Sequence, residues 1–551
     1  MRIVVWHNHE LEAPWFRPET ERIIRLFFDD AEIVFQAASP AGGNGFSEGD
    51  AGTEPVMTDA ADILPAADSS ETPDPETPEL MVTLVVERQD NGAWATVRLA
   101  DAAGRTLQHR AARPLSGTST RERTAEPEEE PAAAPSPSAG WKRPFQVALL
   151  EALSQWTGLK QPWGVLTGVR PVKLFHRYLE QGEPRERIAQ ELEEQFLIAP
   201  EKIRLMDQIT RRQLEVMPDL YELGQEVSIY VGIPFCPTKC AYCTFPAYSI
   251  QGRDASVEAF LQGLHEEIAR IGEWLLARGF GVTTVYVGGG TPTSISAEQL
   301  DALLGHMARH LPHRHRWREW TVEAGRPDTI TPEKLDVIKQ WGVDRISINP
   351  QSFTQATLEA IGRHHTIEET LAAYALARQM GMANINMDLI IGLPGEGIET
   401  FRHSLEQVGR LRPESLTVHT LSFKRASTMT QNKSRYRVAG RDEVTEMVRL
   451  SQDWTAQHGY VPYYLYRQKN ILGNQENVGY ALPGKECLYN IVIMEERQTI
   501  LGLGCGAVSK VVAPSGKITR YANPKDPGHY IRHYREYIDG KLQLLDGLVT
   551  P

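Results

Sequence analysis

The middle of the chain alternates between two hydrophobic periods. Six apolar runs of strand type lie at 228–235, 283–288, 319–324, 344–350, 384–392 and 415–421. Between them, apolar residues recur at helical spacing over 254–278, 296–310, 332–341, 367–381 and 398–411. Strands that alternate with helices predict a parallel sheet with right-handed crossovers. The six units predict an α/β fold, an open (β/α)6 barrel over residues 226–425, whose chemistry lies on the loops that follow the strands.

The chain before the predicted barrel has weaker patterns. Strand-like runs at 3–6 and 31–35 flank a helical stretch at 19–28, and runs at 81–86 and 95–99 predict a hairpin around the Asp-Asn-Gly turn. Residues 37–79 and 114–140 are polar and rich in Pro, Ala and Glu. Such segments bury too little apolar surface to offset the entropy of ordering, so we predict a disordered insert and a linker.

These patterns divide the chain into four parts. Residues 1–140 form an accessory α/β region to which we assign no chemistry. Residues 141–225 are predicted to be helical, with Phe145, Ala148, Leu149 and Leu153 on one face. After the barrel, 426–551 is predicted to be an α+β domain that covers the substrate.

Composition and charge narrow the class of protein. The 551 residues carry a net charge of −13, which argues against a nucleic-acid or anionic-membrane partner. The sequence has no apolar run near the roughly 18 residues of a membrane span and no long apolar signal region. Five cysteines are too few for a disulfide scaffold in a chain of this length. We expect a cytoplasmic protein with reduced thiols.

Three of the five cysteines lie together, at Cys236, Cys240 and Cys243, in a C-x3-C-x2-C pattern directly after the first barrel strand. Thiolates are ligands for iron–sulfur clusters, zinc and copper. A cluster of four irons held by three cysteines keeps one iron open for a substrate or cofactor. A zinc knuckle that lacks its fourth ligand is the alternative. Cys487 and Cys505 are distant in sequence and are interpreted as buried structural thiols.

The cysteine loop resembles the cluster loop of the radical S-adenosylmethionine (SAM) enzymes, which place an aromatic residue just before the third cysteine, here Tyr242. The segment from Tyr230 to Cys236 is similar to the oxygen-independent coproporphyrinogen III oxidase group. The Tyr-Arg-Gln-Lys-Asn run at 466–470 and the Gly-Lys-Glu-Cys run at 484–487 resemble the HemZ-type coproporphyrinogen dehydrogenases. This resemblance implies a 4Fe–4S cluster on the three cysteines and SAM on the open iron.

Polar residues of the types that SAM requires follow the later strands. Carboxylates suit its ribose hydroxyls and amino group, and a guanidinium fork suits its carboxylate. The glycine run at 288–290 lets backbone amides approach a ligand closely, although a tight turn explains such a run equally well. The resemblance implies SAM contacts at Tyr230, Tyr242, Gly289, Gly290, Thr291, Glu323, Gln351, Arg363, Asp388 and Ser422, and it assigns catalysis to the three cysteines and Tyr230.

The implied reaction is the oxidative decarboxylation of two propionates of coproporphyrinogen III to vinyl groups, which gives protoporphyrinogen IX in heme biosynthesis. We expect a monomer that receives electrons from a reduced flavodoxin- or ferredoxin-type donor. The substrate is a small-molecule porphyrinogen with an apolar face and several carboxylates. Candidate contacts are Lys424, Arg425, Arg467 and Lys469, for each of which a solvated surface charge is an equally good interpretation. Arg170 and Lys173 are interpreted as solvated surface charges.

Three departures from the family pattern matter. Gly232 stands where the oxidase group usually has His, and Phe245 stands where its best-studied branch has a fourth Cys. The related heme chaperones carry a His and a Trp where this chain has Tyr489 and Met494, which argues against heme delivery. A heme-binding chaperone, and a radical SAM enzyme for another substrate, remain as alternative hypotheses.

Overall fold

The structure is a computed structural model that describes residues 1–7, 14–28, 31–37, 79–89, 92–114, 142–250, 256–424, 427–432, 435–513 and 515–549. The predicted insert and linker fall almost entirely outside these residues, as does Arg425. The chain forms two compact units, Met1–Thr167 with Glu194–Leu197, and Gly168–Glu193 with Ile198–Pro551. The division into four domains stays a prediction.

The first unit is built on a five-stranded sheet in the order β2-β1-β3-β4-β5. Its elements are β1 (Arg2–His7), α1 (Phe16–Ile24), β2 (Glu32–Ala37), β3 (Leu80–Gln89), β4 (Gly92–Asp101), β5 (Thr106–Pro114) and α2 (Lys142–Thr157). Strands β3 and β4 form the expected antiparallel hairpin. The four apolar residues predicted to share one face of α2 are all buried.

The second unit contains the predicted barrel. Its elements up to residue 420 are α3 (Val172–Glu180), α4 (Arg185–Phe196), α5 (Pro200–Val216), β6 (Glu226–Ile233), α6 (Val257–Ala277), β7 (Gly281–Gly289), α7 (Ala297–His310), β8 (Glu319–Glu323), α8 (Pro332–Gln340), β9 (Arg345–Ser347), α9 (Gln355–Ala360), α10 (Ile367–Gln379), β10 (Ile385–Ile391), α11 (Ile398–Leu411) and β11 (Ser415–Thr420). Strands β6 to β11 are neighbours in chain order and pair in parallel throughout. The α/β class and the six-unit parallel sheet are confirmed.

The C-terminal segment extends the same sheet at both edges. It comprises α12 (Thr428–Gln431), α13 (Arg441–Gln457), β12 (Val461–Tyr466), β13 (Asn477–Ala481), α14 (Leu488–Glu495), β14 (Thr499–Gly504), β15 (Val508–Val512), β16 (Ile518–Ala522) and α15 (Pro527–Val549). Strand β13 pairs antiparallel with β11, while β14 pairs parallel with β6. In the part of the chain described, no helix is both long and apolar enough to cross a membrane.

Strand β14 and the residue after it pack closely against Gly232, the position at which the chain departs from the oxidase-group pattern. Gly232 of β6 is paired with Gly504 of β14. A Cβ atom on Gly232 would lie 2.6 Å from the carbonyl oxygen of Cys505. That separation is shorter than a carbon–oxygen contact permits, so the added strand leaves no room for a side chain at this position.

Helix α14 closes the end of the barrel at which the strands begin. The carboxylate of Glu319, the first residue of β8, accepts hydrogen bonds from the amides of Leu488 (2.9 Å) and Tyr489 (3.2 Å). It therefore caps the helix, whose first amides have no partner within the helix. The ring of Tyr489 stacks on Tyr286 at 4.6 Å and on Tyr230 at 6.1 Å. Aromatic side chains thus fill the barrel interior between this helix and the opposite end.

Candidate active site

The three clustered cysteines lie on a loop that is held at several points. The amide of Cys236 donates to the carbonyl of Tyr248 (3.0 Å), and the amide of Tyr248 donates back to Pro234 (2.9 Å). Farther along, the amide of Ala241 donates to Ile361, and the amide of Met429 donates to Ala241, both at 2.9 Å. The loop is therefore attached to the strand that precedes it and to segments that follow β9 and β11.

All five cysteines are free thiols. Cys236 and Cys240 are buried, and burial raises the pKa of Cys243, although a hydrogen bond from the backbone of Phe245 works in the opposite direction. Among the described residues, no three His, Cys, Asp or Glu side chains are arranged to hold a single metal ion. A cubane cluster instead takes each thiolate on a different iron, so its ligands need not surround one point. The donor set of this loop suits such a cluster.

The glycine turn after β7 packs tightly against the start of the cysteine loop. Gly289 has a φ of +112°, and a Cβ atom on it would lie 2.6 Å from the carbonyl oxygen of Ile233. The amides of Gly290 and Thr291 donate to Ile233 (2.7 Å) and Phe235 (2.8 Å). These two amides are therefore not available to a ligand, contrary to the sequence argument. An ammonium group needs acceptors, so this region would serve the amino group of SAM through its oxygen atoms.

Glu323 supplies such oxygen atoms at the end of β8. Tyr286 donates a hydrogen bond of 2.5 Å to its Oε1 atom. Burial and the nearby charge of Asp388 raise the pKa of Glu323 to about 7, while the hydrogen bonds from Tyr286 and the Gly289 amide act to lower it. Sequence reasoning missed Tyr286, although it lies on β7 two residues before the glycine run and therefore on the same face of the strand as Gly288.

Asp388, on β10, is in a different electrostatic setting. Its carboxylate accepts a hydrogen bond from Asn386 (2.8 Å) and lies 3.5 Å from the imidazole of His419 on β11. Burial would raise the pKa of Asp388, but the hydrogen bond and charge of His419 hold it below its usual value. Asp388 is therefore ionised at neutral pH, as an acceptor of ribose hydroxyls requires. His419 was not predicted from the sequence.

Gln351 and Arg363 present buried polar atoms that the described residues leave without partners. Gln351 has a φ of +67° and is held by backbone hydrogen bonds to Asp388 (2.9 Å) and from Ile390 (3.0 Å). Arg363 donates to the carbonyls of Gly325 and Asn349, both at 2.7 Å. Within the described ranges, Oε1 of Gln351 and Nε of Arg363 have no hydrogen-bond partner. Because buried polar groups are normally satisfied, these atoms indicate a polar ligand.

The remaining residues predicted to contact SAM differ in what their side chains contact. Thr291 Oγ1 lies 3.2 Å from the sulfur of Cys236, and the hydroxyl of Tyr242 lies 3.4 Å from Arg363. The hydroxyl of Ser422 instead donates to the carbonyl of Lys469 (2.7 Å). The ring of Tyr230 stacks against the rings of Tyr286 and Tyr489, whose centroids are each 6.1 Å away, in the barrel interior.

The predicted substrate-contact residues differ from one another in burial and in their partners. Lys424 is half-buried and close enough to Cys243 to feel its charge, whereas Lys469 is exposed. Arg467 is buried and donates to Asn474. Arg425 lies outside the described residues.

Arg170 and Lys173 are not the solvated charges expected from the sequence. They form ion pairs with the carboxylate of Glu496, at 2.7 and 2.5 Å respectively. Glu496 is buried and directly follows α14, so the two cations stabilise the chain at the closed end of the barrel. They are structural residues rather than substrate contacts.

Comparison with known proteins agrees with this geometry. Residues 230–408 match the radical SAM superfamily. The chain is 60% identical over 406 residues to the oxygen-independent coproporphyrinogen-III oxidase-like protein HemZ of Bacillus subtilis, covering 74% of this chain and 81% of that protein. The chain therefore belongs to the radical SAM superfamily and, within it, to the HemZ family.

More distant relatives belong to a second group. The heme chaperone HemW of Bacillus subtilis is 32% identical over 310 residues, or 55% of this chain and 75% of that protein. Among solved structures, the coproporphyrinogen III oxidase HemN of Escherichia coli aligns with a TM-score of 0.47 at 22% identity, over 59% of this chain and 72% of that chain. Membership of the superfamily establishes a 4Fe–4S cluster and SAM as the cofactors.

The raised pKa of Glu323 predicts how SAM binding depends on pH. We propose that an ionised Glu323 attracts the ammonium group of SAM, and the affinity for SAM should then be full well above pH 7 and fall up to tenfold per pH unit below it. Tyr286→Phe removes a hydrogen bond that favours the ionised carboxylate of Glu323. The pH at which the affinity for SAM begins to fall should therefore be higher in this variant. Equilibrium binding of SAM between about pH 6 and 7.5 measures this, with Tyr489→Phe as the matched control. An unchanged midpoint in Tyr286→Phe would contradict the coupling.

Proposed function

We propose that the chain is a radical SAM oxidoreductase that decarboxylates propionate groups of a porphyrinogen, converting coproporphyrinogen III to protoporphyrinogen IX. The observation that carries this proposal is the arrangement of the predicted SAM-binding residues around the cysteine loop. Arg363 lies 3.4 Å from the hydroxyl of Tyr242 on that loop, the amide of Gln351 donates to the carbonyl of Asp388, and Glu323 ends β8. The 60% identity to a protein described as coproporphyrinogen-III oxidase-like supports the choice of substrate. Fold alone does not, because one fold supports many activities.

In this proposal the residues of the chain bind and orient the cofactors. Cys236, Cys240 and Cys243 hold the cluster. Glu323 accepts the ammonium group of SAM, and Asp388, kept ionised by His419, accepts hydroxyl hydrogens. When bound, the cluster and SAM supply the one-electron chemistry that removes a hydrogen atom from the substrate.

Arg363 has two roles in this arrangement. Its Nη2 atom fixes the loops after β8 and β9 through the two carbonyl bonds, while its Nε atom is left for a carboxylate. At the other end of the barrel, the stacked rings of Tyr230, Tyr286 and Tyr489 fill the interior below Glu323 and keep water away from the reacting atoms.

The overall change at each propionate balances simply. The β-carbon would lose one hydrogen atom, which ends in the deoxyadenosine released from cleaved SAM together with methionine, the carboxylate would leave as carbon dioxide, and the remaining electron would pass to a one-electron acceptor, which leaves a vinyl group. Two rounds convert coproporphyrinogen III to protoporphyrinogen IX. We further propose a reduced flavodoxin- or ferredoxin-type protein as the source of the electron that each round consumes.

An anaerobic turnover experiment tests the function. The reconstituted protein is given a chemical reductant, SAM and coproporphyrinogen III, and the porphyrin products are separated by chromatography. We expect mono- and divinyl products together with methionine. Methionine and deoxyadenosine without any vinyl product would retain the superfamily chemistry and refute this substrate.

The heme chaperones among the relatives give a second candidate function, a heme-binding protein that uses the cluster for regulation. Tyr489, which stands at the position of the chaperone His, is buried and stacked on Tyr286 inside the barrel. It is therefore not placed to ligate heme at a surface. Stoichiometric heme binding without SAM-dependent decarboxylation would favour the chaperone.

A further inference from the structure

A buried arginine outside the set of predicted SAM contacts joins the loops at the carboxyl ends of the barrel strands. Arg326 follows β8 in the segment 325–328 and is 2% exposed. Its Nε and Nη2 atoms donate to the two carboxylate oxygens of Asp328, at 2.9 and 2.8 Å. This fork fixes the plane of the guanidinium group and leaves the Nη1 atom for a different partner.

The partner of this Nη1 atom lies on the cysteine loop. Nη1 of Arg326 donates to the hydroxyl of Thr238 at 2.9 Å, and Thr238 lies between Cys236 and Cys240 in the sequence. A threonine hydroxyl also has one hydrogen to donate, and Thr238 donates it to the carbonyl of Gly362 at 3.3 Å. The oxygen atom of Thr238 therefore connects the loop after β8 to the segment that follows α9.

A second arginine closes these contacts into a ring. Arg363 directly follows Gly362, and its Nη2 atom donates at 2.7 Å to the carbonyl of Gly325, which directly precedes Arg326. Each of the two Gly-Arg pairs thus provides an arginine donor and a glycine carbonyl acceptor, and Thr238 lies between them. We call this set the hydrogen-bond ring. It holds each of three loops from two sides, so it resists the displacement of any one of them.

The hydrogen-bond ring lies between the residues proposed to bind the two cofactors. On one side it holds Thr238, within the run of cluster cysteines. On the other side it holds Arg363, whose Nε atom is left for the carboxylate of SAM. The position of the cysteine loop relative to Arg363 therefore sets how the two cofactors meet.

We propose that Thr238 and Arg326 are positioning residues that fix the cysteine loop relative to Arg363, so that the cluster and SAM meet in the geometry that SAM cleavage requires. These roles rest on the proposed function, in which the three cysteines hold the cluster and Arg363 binds SAM, but not on the porphyrinogen substrate. Because a misplacement of about 1 Å can cost a hundredfold in rate, loss of the hydrogen-bond ring should slow cleavage more than it weakens the binding of either cofactor.

The test uses the full-length protein with a reconstituted cluster, dithionite and SAM, without porphyrinogen. Thr238→Val removes the shared hydroxyl at nearly constant volume, and Thr238→Ser retains it. Arg326→Lys replaces the planar fork by a single ammonium group, which does not hold Asp328 and Thr238 in the same way. The measured quantities are iron content, equilibrium affinity for SAM, the rate constant of methionine release, and the electron paramagnetic resonance spectrum of the reduced cluster with and without SAM. Hydrogen exchange over 236–243 is measured in protein without the cluster.

A similar arrangement on the helices before the barrel supplies matched controls. The hydroxyl of Thr210 accepts a hydrogen bond from Nη1 of Arg185 and donates to the carbonyl of Asp207, both at 2.9 Å. Arg185 also pairs with the carboxylate of Asp207, as Arg326 pairs with Asp328. Thr210→Val and Arg185→Lys therefore remove the same kinds of hydrogen bond from α4 and α5, and they should leave the rate constant of methionine release unchanged.

We expect Thr238→Val and Arg326→Lys each to lower the rate constant of methionine release about tenfold, with unchanged iron content and with the affinity for SAM lowered less than about threefold. The change that SAM causes in the resonance spectrum should differ from that of the parent protein in both variants. Hydrogen exchange over 236–243 should be faster in both. Thr238→Ser should restore the rate of the parent protein, because its hydroxyl makes the same two hydrogen bonds.

Two results would overturn the positioning role and leave the proposed function standing. One is a rate of methionine release equal to that of the parent protein in both Thr238→Val and Arg326→Lys. The other is a loss of iron that matches the loss of cleavage, because the two residues would then serve only to assemble the cluster. A parent protein that retains its cluster and cleaves no SAM would refute both the positioning role and the proposed function.

Discussion

Replacing Cys240 by Ala is expected to abolish cluster assembly and, with it, all SAM cleavage. The three-cysteine pattern provides one thiolate for each of three irons, so a missing thiolate leaves two irons without a protein ligand. Iron and sulfide content after anaerobic reconstitution and methionine release by the reduced protein measure the effect.

The matched control for this variant is Cys505→Ala. Cys505 is also buried, and its thiol donates to the carbonyls of Pro524 (3.2 Å) and Lys525 (3.1 Å). Removing this thiol should cost about 1 kcal/mol in the free energy of unfolding and leave iron content and SAM cleavage unchanged. A Cys240→Ala protein that still cleaved SAM would refute the assignment of the cluster to this loop.

The barrel was predictable because its strands and helices have strong and different hydrophobic periods. The six predicted strands lie within a few residues of β6 to β11. Strand β5 and helix α9 were missed, because β5 carries no apolar alternation and α9 has only six residues. The parallel pairing of β14 with β6 was also not predicted, since it joins segments more than 250 residues apart that no local pattern connects.

Residues of the candidate site could be predicted from the sequence only where the residue type and its position near the end of a strand indicate a chemical role. Glu323 and Asp388 were chosen in this way, yet their pKa values are shifted in opposite directions, since burial and the charge of Asp388 outweigh the hydrogen bond from Tyr286 at Glu323, whereas His419 outweighs burial at Asp388. Tyr286 and His419 each lie on the strand next to that of the carboxylate they contact. These contacts form because the side chains point to the same face of adjacent strands. They can be predicted only once the register between the strands is known.

The second large effect concerns stability. Breaking the buried ion pair between Glu267 on α6 and Lys541 on α15 is expected to destabilise the second unit strongly. Both side chains are fully buried, with Nζ of Lys541 2.5 Å from the carboxylate. Glu267 also accepts from the amide of Gly504 (2.8 Å), from Asn523 (2.9 Å) and from Tyr530 (2.6 Å). Glu267→Leu leaves the buried ammonium group of Lys541 without a counter-ion and takes the acceptor from the amide of Gly504 and the hydroxyl of Tyr530, which should cost about 3–5 kcal/mol.

Lys541→Met should cost less, about 1–3 kcal/mol, because the three remaining donors still hold the carboxylate of Glu267. The two single variants therefore test whether losing the carboxylate costs more stability than losing the ammonium group. The double variant should recover part of the stability, since no unpaired charge remains. Thermal unfolding followed by calorimetry measures all three proteins. Gly504 pairs with Gly232 on the strand that leads to the cluster loop, so Glu267→Leu should also lower the retained iron. Equal destabilisation by the two single variants would show that the carboxylate depends on Lys541 alone.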